Sequence, residues 1–411
     1  MLRGFLLTAC LGLSLIARSQ PDLIQQIQQA YQANAYDRHI ELTKRLLTVS
    51  RHPHYLYQLA ESYAGNRQPT EALAFLRELA DKQLPYAISA NPKFESLRAN
   101  PAFATLAQRF SANARPVQRS QRAATLTDST LIPEGIALDP ATGDTYLSSL
   151  FQNKIVHYSS GHEYNFTAQR QDGLYATLGM KINPATQELW VCSAADRGPD
   201  KGKSGLFRYQ LSSGKLIKKY LVSNQQATHL FNDLVIGPSS EVYLTDSEAG
   251  RVYVLKDGAD TLARFTDANF IYPNGIAIDA AGKHLFIADF RGLHRLDLPS
   301  GRMVSISDGG RTYLTGIDGL YYTEGTLLAI QDSGHQDDRI VRFRLDADQQ
   351  NVVNAEVLQT THPDFETPTT GCLYKNAFYY IANSQLRKIT SDGKLSDPAS
   401  LKRPIIMRLN L

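Results

Sequence analysis

Tryptophan occurs once, methionine 4 times and cysteine 3 times in 411 residues. Cys10 lies in the N-terminal apolar stretch, so a disulfide framework has only Cys192 and Cys372 to draw on. A thiolate metal site lacks ligands for the same reason. Both remaining cysteines sit in apolar, strand-like stretches without basic neighbours, which reads as buried free thiols rather than nucleophiles. Charge of one sign is also missing. The 43 Lys+Arg against 40 Asp+Glu leave a net +3, too little to draw the chain to nucleic acid or anionic membrane. No Gly-rich loop joins a strand to a helix, which excludes the usual phosphate cradles. Beyond the first twenty residues no apolar run is long enough to span a bilayer. What is present is an ordinary globular composition, 43% hydrophobic, with 21 Tyr and 16 Phe, residues that suit sheet surfaces.

The first nineteen residues read as a leader. Met1-Leu2-Arg3 is a basic start, Phe5 to Ile16 is mostly apolar, and Ala17-Arg18-Ser19 puts small residues at the cleavage positions before Gln20. This is the pattern of a secretory signal peptide, so export to the periplasm or the medium is expected. Leu7-Thr8-Ala9-Cys10 has the look of a lipobox, but the apolar run continues past Cys10, which favours ordinary cleavage.

Residues 20–112 carry helical periodicity. Leu56, Leu59-Ala60 and Tyr63-Ala64 recur at helix spacing up to Gly65-Asn66, and Pro69 opens a second run through Ala72-Leu73, Phe75-Leu76 and Leu79-Ala80. Tyr55 to Asp81 resembles one tetratricopeptide unit. Asn91-Pro92 and Asn100-Pro101 begin a local duplication, each placing a capping Asn before a Pro-initiated turn that buries Phe and Leu. Two repeats are fewer than a free-standing solenoid needs. The segment is therefore expected to dock on the C-terminal part of the chain as a cap, with binding of a protein partner as the alternative. Residues 113–123 are polar, basic and without period, and are expected to be a linker.

From 124 to 411 the period becomes two, and a longer repeat appears. Pro133-Glu134-Gly135, Leu178-Gly179, Phe231-Asn232-Asp233, Pro273-Asn274-Gly275, Ile317-Asp318-Gly319 and Thr370-Gly371 each open a short strand followed by a second. Successive copies are 44, 54, 42, 44 and 52 residues apart. Short strands at this period predict an all-β six-bladed β-propeller, one blade per repeat.

Equivalent positions at the starts of the inner strands converge on the propeller axis. That column is Glu134, Leu178, Asn232, Asn274, Asp318 and Thr370. Two carboxylates and two amides side by side carry two negative charges, costly to gather without a cation. A hard divalent ion with oxygen ligands answers this, and Ca²⁺ tolerates such a mixed set. We expect one Ca²⁺ on Glu134, Asn232, Asn274 and Asp318, with Asp318 also serving as the catalytic carboxylate beside it.

These residues resemble those of the senescence marker protein (regucalcin)/gluconolactonase family, and more distantly of diisopropyl fluorophosphatase and the paraoxonases. The resemblance spans about residues 125–411 and rests on the Glu134, Asn232, Asn274 and Asp318 motifs quoted above. It implies a central Ca²⁺ on that Glu, two Asn and Asp, and hydrolysis of lactones, esters or phosphotriesters. Two departures matter. Leu178 stands where gluconolactonase-like members often carry a sugar-holding Asn, and the paraoxonase His pair has no counterpart on that blade. Leu178, Asp233, His335, His362 and Thr370 are the candidates for the substrate rim. Two functions compete: an exported Ca²⁺-dependent hydrolase of small lactones or esters, and a non-catalytic binding propeller whose Ca²⁺ is structural. The four-ligand column favours the first.

Overall fold

The computed structural model describes residues 22–223, 227–310, 312–334 and 338–411. The leader, its cleavage position before Gln20 and His335 lie outside the described residues. Helices α1 (22–32), α2 (Tyr36–Leu47), α3 (Pro53–Gly65), α4 (Pro69–Asp81) and α5 (Pro101–Asn113) form the N-terminal block. Pro occupies the first turn of α3, α4 and α5, where its missing N–H costs no hydrogen bond. The duplicated Asn-Pro motif behaves as its chemistry requires: Asn91 Oδ1 accepts from Lys93 N at 3.0 Å and Asn100 Oδ1 from Ala102 N at 2.9 Å. Only the second copy grows into an α-helix, because Pro101 stops the first after a 3₁₀ stretch, Pro92–Leu97. Leu56, Leu59, Leu76, Leu79 and Phe94 are fully buried at the centre of the block.

Six antiparallel sheets follow in a ring. Their innermost strands are Ile136–Leu138, Ala176–Asn183, Phe231–Ile236, Ile276–Ile278, Ile317–Thr323 and Gly371–Tyr374, one per predicted repeat. The ring closes where Ser120–Thr125 pairs with the last strand, Ile405–Asn410, and becomes the outer strand of the sixth blade. Val117–Gln118 adds to the outer strand of the fifth, Val352–Thr360. The segment 113–123 is therefore not a free linker. Ser120–Thr125 lies on the perimeter and is mostly exposed, so its polar composition gives no burial period. Cys192 and Cys372 are buried and free, and burial pushes both thiols up.

The helical block packs on the face where the inner strands begin, over the fourth and fifth blades. Ser50 Oγ donates to Phe290 O at 2.5 Å, and Lys82 Nζ donates to Thr312 O at 2.7 Å. Tyr313 of the propeller is buried within the main helical core, and Phe290 packs against a second cluster of Leu23, Ile27, Leu42 and Leu46. No helix among the described residues is long and apolar enough to cross a membrane.

Candidate metal centre

The inner strands do not run as plain ladders at their starts. In the third blade Phe231 pairs with Asp246, and the register then shifts so that Leu234 pairs with Leu244. In the fifth, Ile317 pairs with Gln331 and Leu320 with Ala329. The skipped residues are Asn232-Asp233 and Asp318-Gly319, and in the second blade Leu178-Gly179 is skipped in the same way. A bulge releases its residue from the ladder and re-aims the side chain, here toward the axis. In the first and fourth blades Glu134 and Asn274 lie just before the paired strand instead.

The glycines that follow Glu134 and Asn274 share one cause. A Cβ on Gly135 would overlap the carbonyl oxygen of Leu178 in the next blade, and one on Gly275 that of Asp318. Neighbouring blades approach this closely because six inner strands share one narrow axis.

Of the four predicted ligands, Asn274 and Asp318 touch directly, and Glu134 feels the charge of Asp318. Asn274 Nδ2 donates to Asp318 Oδ1 at 2.7 Å, and Asn232 Nδ2 donates to Ser247 Oγ at 3.0 Å. Ser247 Oγ in turn donates to Pro273 O at 2.6 Å, tying the third blade to the fourth. Thr369 Oγ1 donates to Glu134 O at 3.0 Å, and Thr370 Oγ1 donates to the same oxygen. Thr370 thus fixes the Glu134 backbone and is itself buried. Glu134 Oε2, Asn274 Oδ1 and Asp233 Oδ2 are buried acceptors without a hydrogen-bond partner among the described residues.

The electrostatics follow from this crowding. Burial pushes the Glu134 carboxyl well above the usual range, and the charges of Asp318 and Asp233 push it further against the pull of Lys181. Burial raises Asp318 to about 7, the Asn274 hydrogen bond opposing and Asp233 and Asp332 adding to it. Like charges packed out of water disfavour ionisation. Lys181, an inner-strand lysine not anticipated from the sequence, donates to Asp233 Oδ1 at 3.3 Å and neutralises one of the three acids. Among the described residues no three His, Cys, Asp or Glu side chains gather as a metal site. The donor set is instead two carboxylates with two amides, and the unsatisfied oxygens of Glu134 and Asn274 fit a hard cation.

Asn274 and Asp318 open into a cavity of about 1250 Å³. Its walls come from the third to fifth blades and from the helical block, through Ile24, His52, His54 and Tyr55. The sequence reading missed these four. His52-Pro53-His54, two histidines around a helix-opening proline, was the available signal. Burial lowers His54, with Asp332 opposing. Of the rim candidates, Asp233 is an axial acid paired with Lys181, and Leu178 is buried on the second blade. His362 is not at the rim: it packs on Phe365, with ring centroids 5.6 Å apart, beside Asp364, which pairs with Arg122 on the outer strand of the sixth blade. The loop that carries it starts at the outer strand of the fifth blade, so it stays at large radius. Asp246 and Asp289 tie turns, each accepting from backbone N–H groups and a histidine, and Asn383 joins Arg403 O to Ile405 N.

No protein-family model matches the chain, and no curated protein matches it. Solved structures do. The chain is similar to a calcium-binding protein, regucalcin, from Agrobacterium tumefaciens, at TM-score 0.50 and 18% identity, over 70% of this chain and 93% of that one. It is also similar to a gluconolactonase from Xanthomonas campestris (TM-score 0.48, 14% identity, 73% and 93% covered). A PQQ-bound aldose sugar dehydrogenase from Streptomyces coelicolor gives 0.47 and 14%, with 70% and 96% covered. At this identity the regucalcin likeness establishes the six-bladed fold.

Proposed function

We propose that this chain is a calcium-dependent hydrolase of small lactones or esters. One observation carries the reading: Asn274 bonds to Asp318, and Glu134 Oε2 and Asn274 Oδ1 are buried acceptors without a partner among the described residues. The regucalcin structure of like fold is that of a calcium-binding protein, which agrees with the ion chosen. When bound, the ion would supply Lewis-acid polarisation of the acyl oxygen. The protein's own groups do the rest. Asp318, on the cavity floor, orients the attacking water and takes its proton. Asn274 holds that carboxylate in place through its 2.7 Å hydrogen bond. Glu134, pinned through its carbonyl by Thr369 and Thr370, holds charge without reaching the cavity. The helical roof adds Ile24, His52, His54 and Tyr55 to the cavity wall.

A second reading, a binding propeller with a structural ion, draws on Leu178, which offers a substrate no polar group. Screening lactones, aryl esters and phosphotriesters with and without chelator separates the two. Chelator-sensitive turnover supports the hydrolase, and calcium binding without turnover on any of them supports the second. We also infer export from the leader; mass spectrometry should find a mature chain starting at Gln20, and a lipid-modified Cys10 would overturn this.

A further inference from the structure

Tyr55, Tyr253, Phe270, Tyr272 and Phe290 line the cavity without serving the reaction described above. Tyr272 immediately precedes Pro273 and Asn274. Its φ is 53°, in the left-handed region where a bulky side chain is an outlier. The first blade repeats the turn, Ile132-Pro133-Glu134, with Ile132 at φ 45°. There the strain is offset by packing, since Ile132 is fully buried. Tyr272 is packed less, with 52% of its surface exposed, and it lines the cavity, where burial still pushes its hydroxyl up to about 12. A large ring held at this φ on a cavity wall is an outlier from which a role at the site can be argued. From the helical block, Tyr55 meets Phe290 edge-on at 6.3 Å between ring centroids, and both line the same cavity.

We propose that Tyr272 and Tyr55 are the walls that receive the ring of the substrate, so that the site takes lactones or esters with an aromatic body. The helical block is then part of the binding site and not only a cap. The class of substrate rests on the hydrolase reading, but the ring contact does not depend on turnover.

The test uses the full chain and two probes. Coumarin, a flat bicyclic lactone, is titrated for equilibrium binding, and dihydrocoumarin hydrolysis is compared with that of γ-butyrolactone. Tyr272→Gly and Tyr55→Ala should each weaken coumarin binding about tenfold or more, the loss expected for an aromatic anchor. Tyr272→Phe should stay within about threefold, because the stacking face survives. Calcium affinity should be unchanged in all three. Tyr272→Gly should melt no lower than wild type, since glycine accepts the positive φ. Wild type that fails to bind coumarin, variants that bind it equally well, or tighter binding of a sugar lactone would overturn the proposal. Loss of coumarin binding in the variants of a protein without calcium-dependent turnover keeps the ring contact and removes the hydrolase reading. Calcium-dependent turnover with coumarin affinity untouched does the reverse.

Discussion

Asn274 donates to Asp318 across the boundary between the fourth and fifth blades, Nδ2 to Oδ1 at 2.7 Å. The bond fixes the amide plane, which leaves Asn274 Oδ1 as an acceptor buried without a partner among the described residues. Two predicted ligands therefore hold each other in place. Asp318→Asn keeps an oxygen donor but removes a charge and the basic oxygen. We predict weakened but measurable calcium binding by calorimetry, with hydrolysis down by a factor on the order of 10² or more. Glu134→Gln should weaken calcium without that selective loss of turnover. Because calcium binds the folded site, about 100 Kd of free ion should stabilise the wild type by about 2.7 kcal/mol. Calorimetry without calcium binding to the wild type would end the metal reading.

Gly135 tests the convergence of the blades. Its backbone N–H donates to Ser148 Oγ at 2.6 Å, and an added Cβ would overlap the Leu178 carbonyl of the next blade. A backbone carbonyl cannot rotate away as a side chain does. Gly135→Ala should cost about 3 kcal/mol in urea denaturation, at the upper end for overpacking. A loss below about 0.5 kcal/mol, the range of neutral surface changes, would mean that the blades are not so close.

His39 gives a pH signature to the helical block. It is buried between Thr43 Oγ1 at 3.2 Å and Ser62 Oγ at 2.8 Å. Burial first, then the charge of Lys93, lowers it from 6.5 to about 4. The unfolded chain takes the proton near 6.5 and the folded chain resists it until about 4. This contribution to stability is complete above the higher value and is lost as pH falls toward the lower. Glu134 and Asp318, raised in the fold, act with the opposite sign, so the comparison must be with His39→Gln. The wild type should lose more melting temperature than that variant between pH 6.5 and pH 4. Parallel profiles would contradict a neutral buried His39.

Lys82 tests the docking of the roof. It is 8% exposed, and besides Thr312 O it reaches Asp308 Oδ2 at 3.3 Å. Lys82→Met keeps the stem and strands these acceptors, a loss of about 1–3 kcal/mol. Trp190, the single tryptophan, reports only the propeller, while helical circular dichroism is weighted to the roof. The two urea transitions should coincide in the wild type and separate in the variant. Transitions that remain coincident at the wild-type midpoint would show that Lys82 does not hold the roof.

The repeat and its column were legible because both are local signals. A strand's alternation, a turn and a Gly after an acid or amide recur within a few residues, and the 42 to 54 residue steps count the blades. The Asn caps of the helical block were legible for the same reason. Lys181 was not, since a lysine in an alternating strand reads equally well as a solvent-facing residue until the neighbouring blade supplies Asp233. His362 misled because a loop histidine carries no mark of its radius. Ser120–Thr125 misled because an exposed perimeter strand has the composition of a linker.

By itself, then, the sequence determined the number of blades, the order of the oxygen donors and the helix starts at Pro69 and Pro101, all properties of short stretches of chain. Tertiary structure alone decided how the ring closes, which bulges turn Asn232 and Asp318 inward, and that Tyr55 faces the cavity that Asp318 floors. Those contacts join residues tens to hundreds of positions apart. Their energies come from packing and from shared burial of charge, which no local pattern encodes and which exist only once the ring has formed.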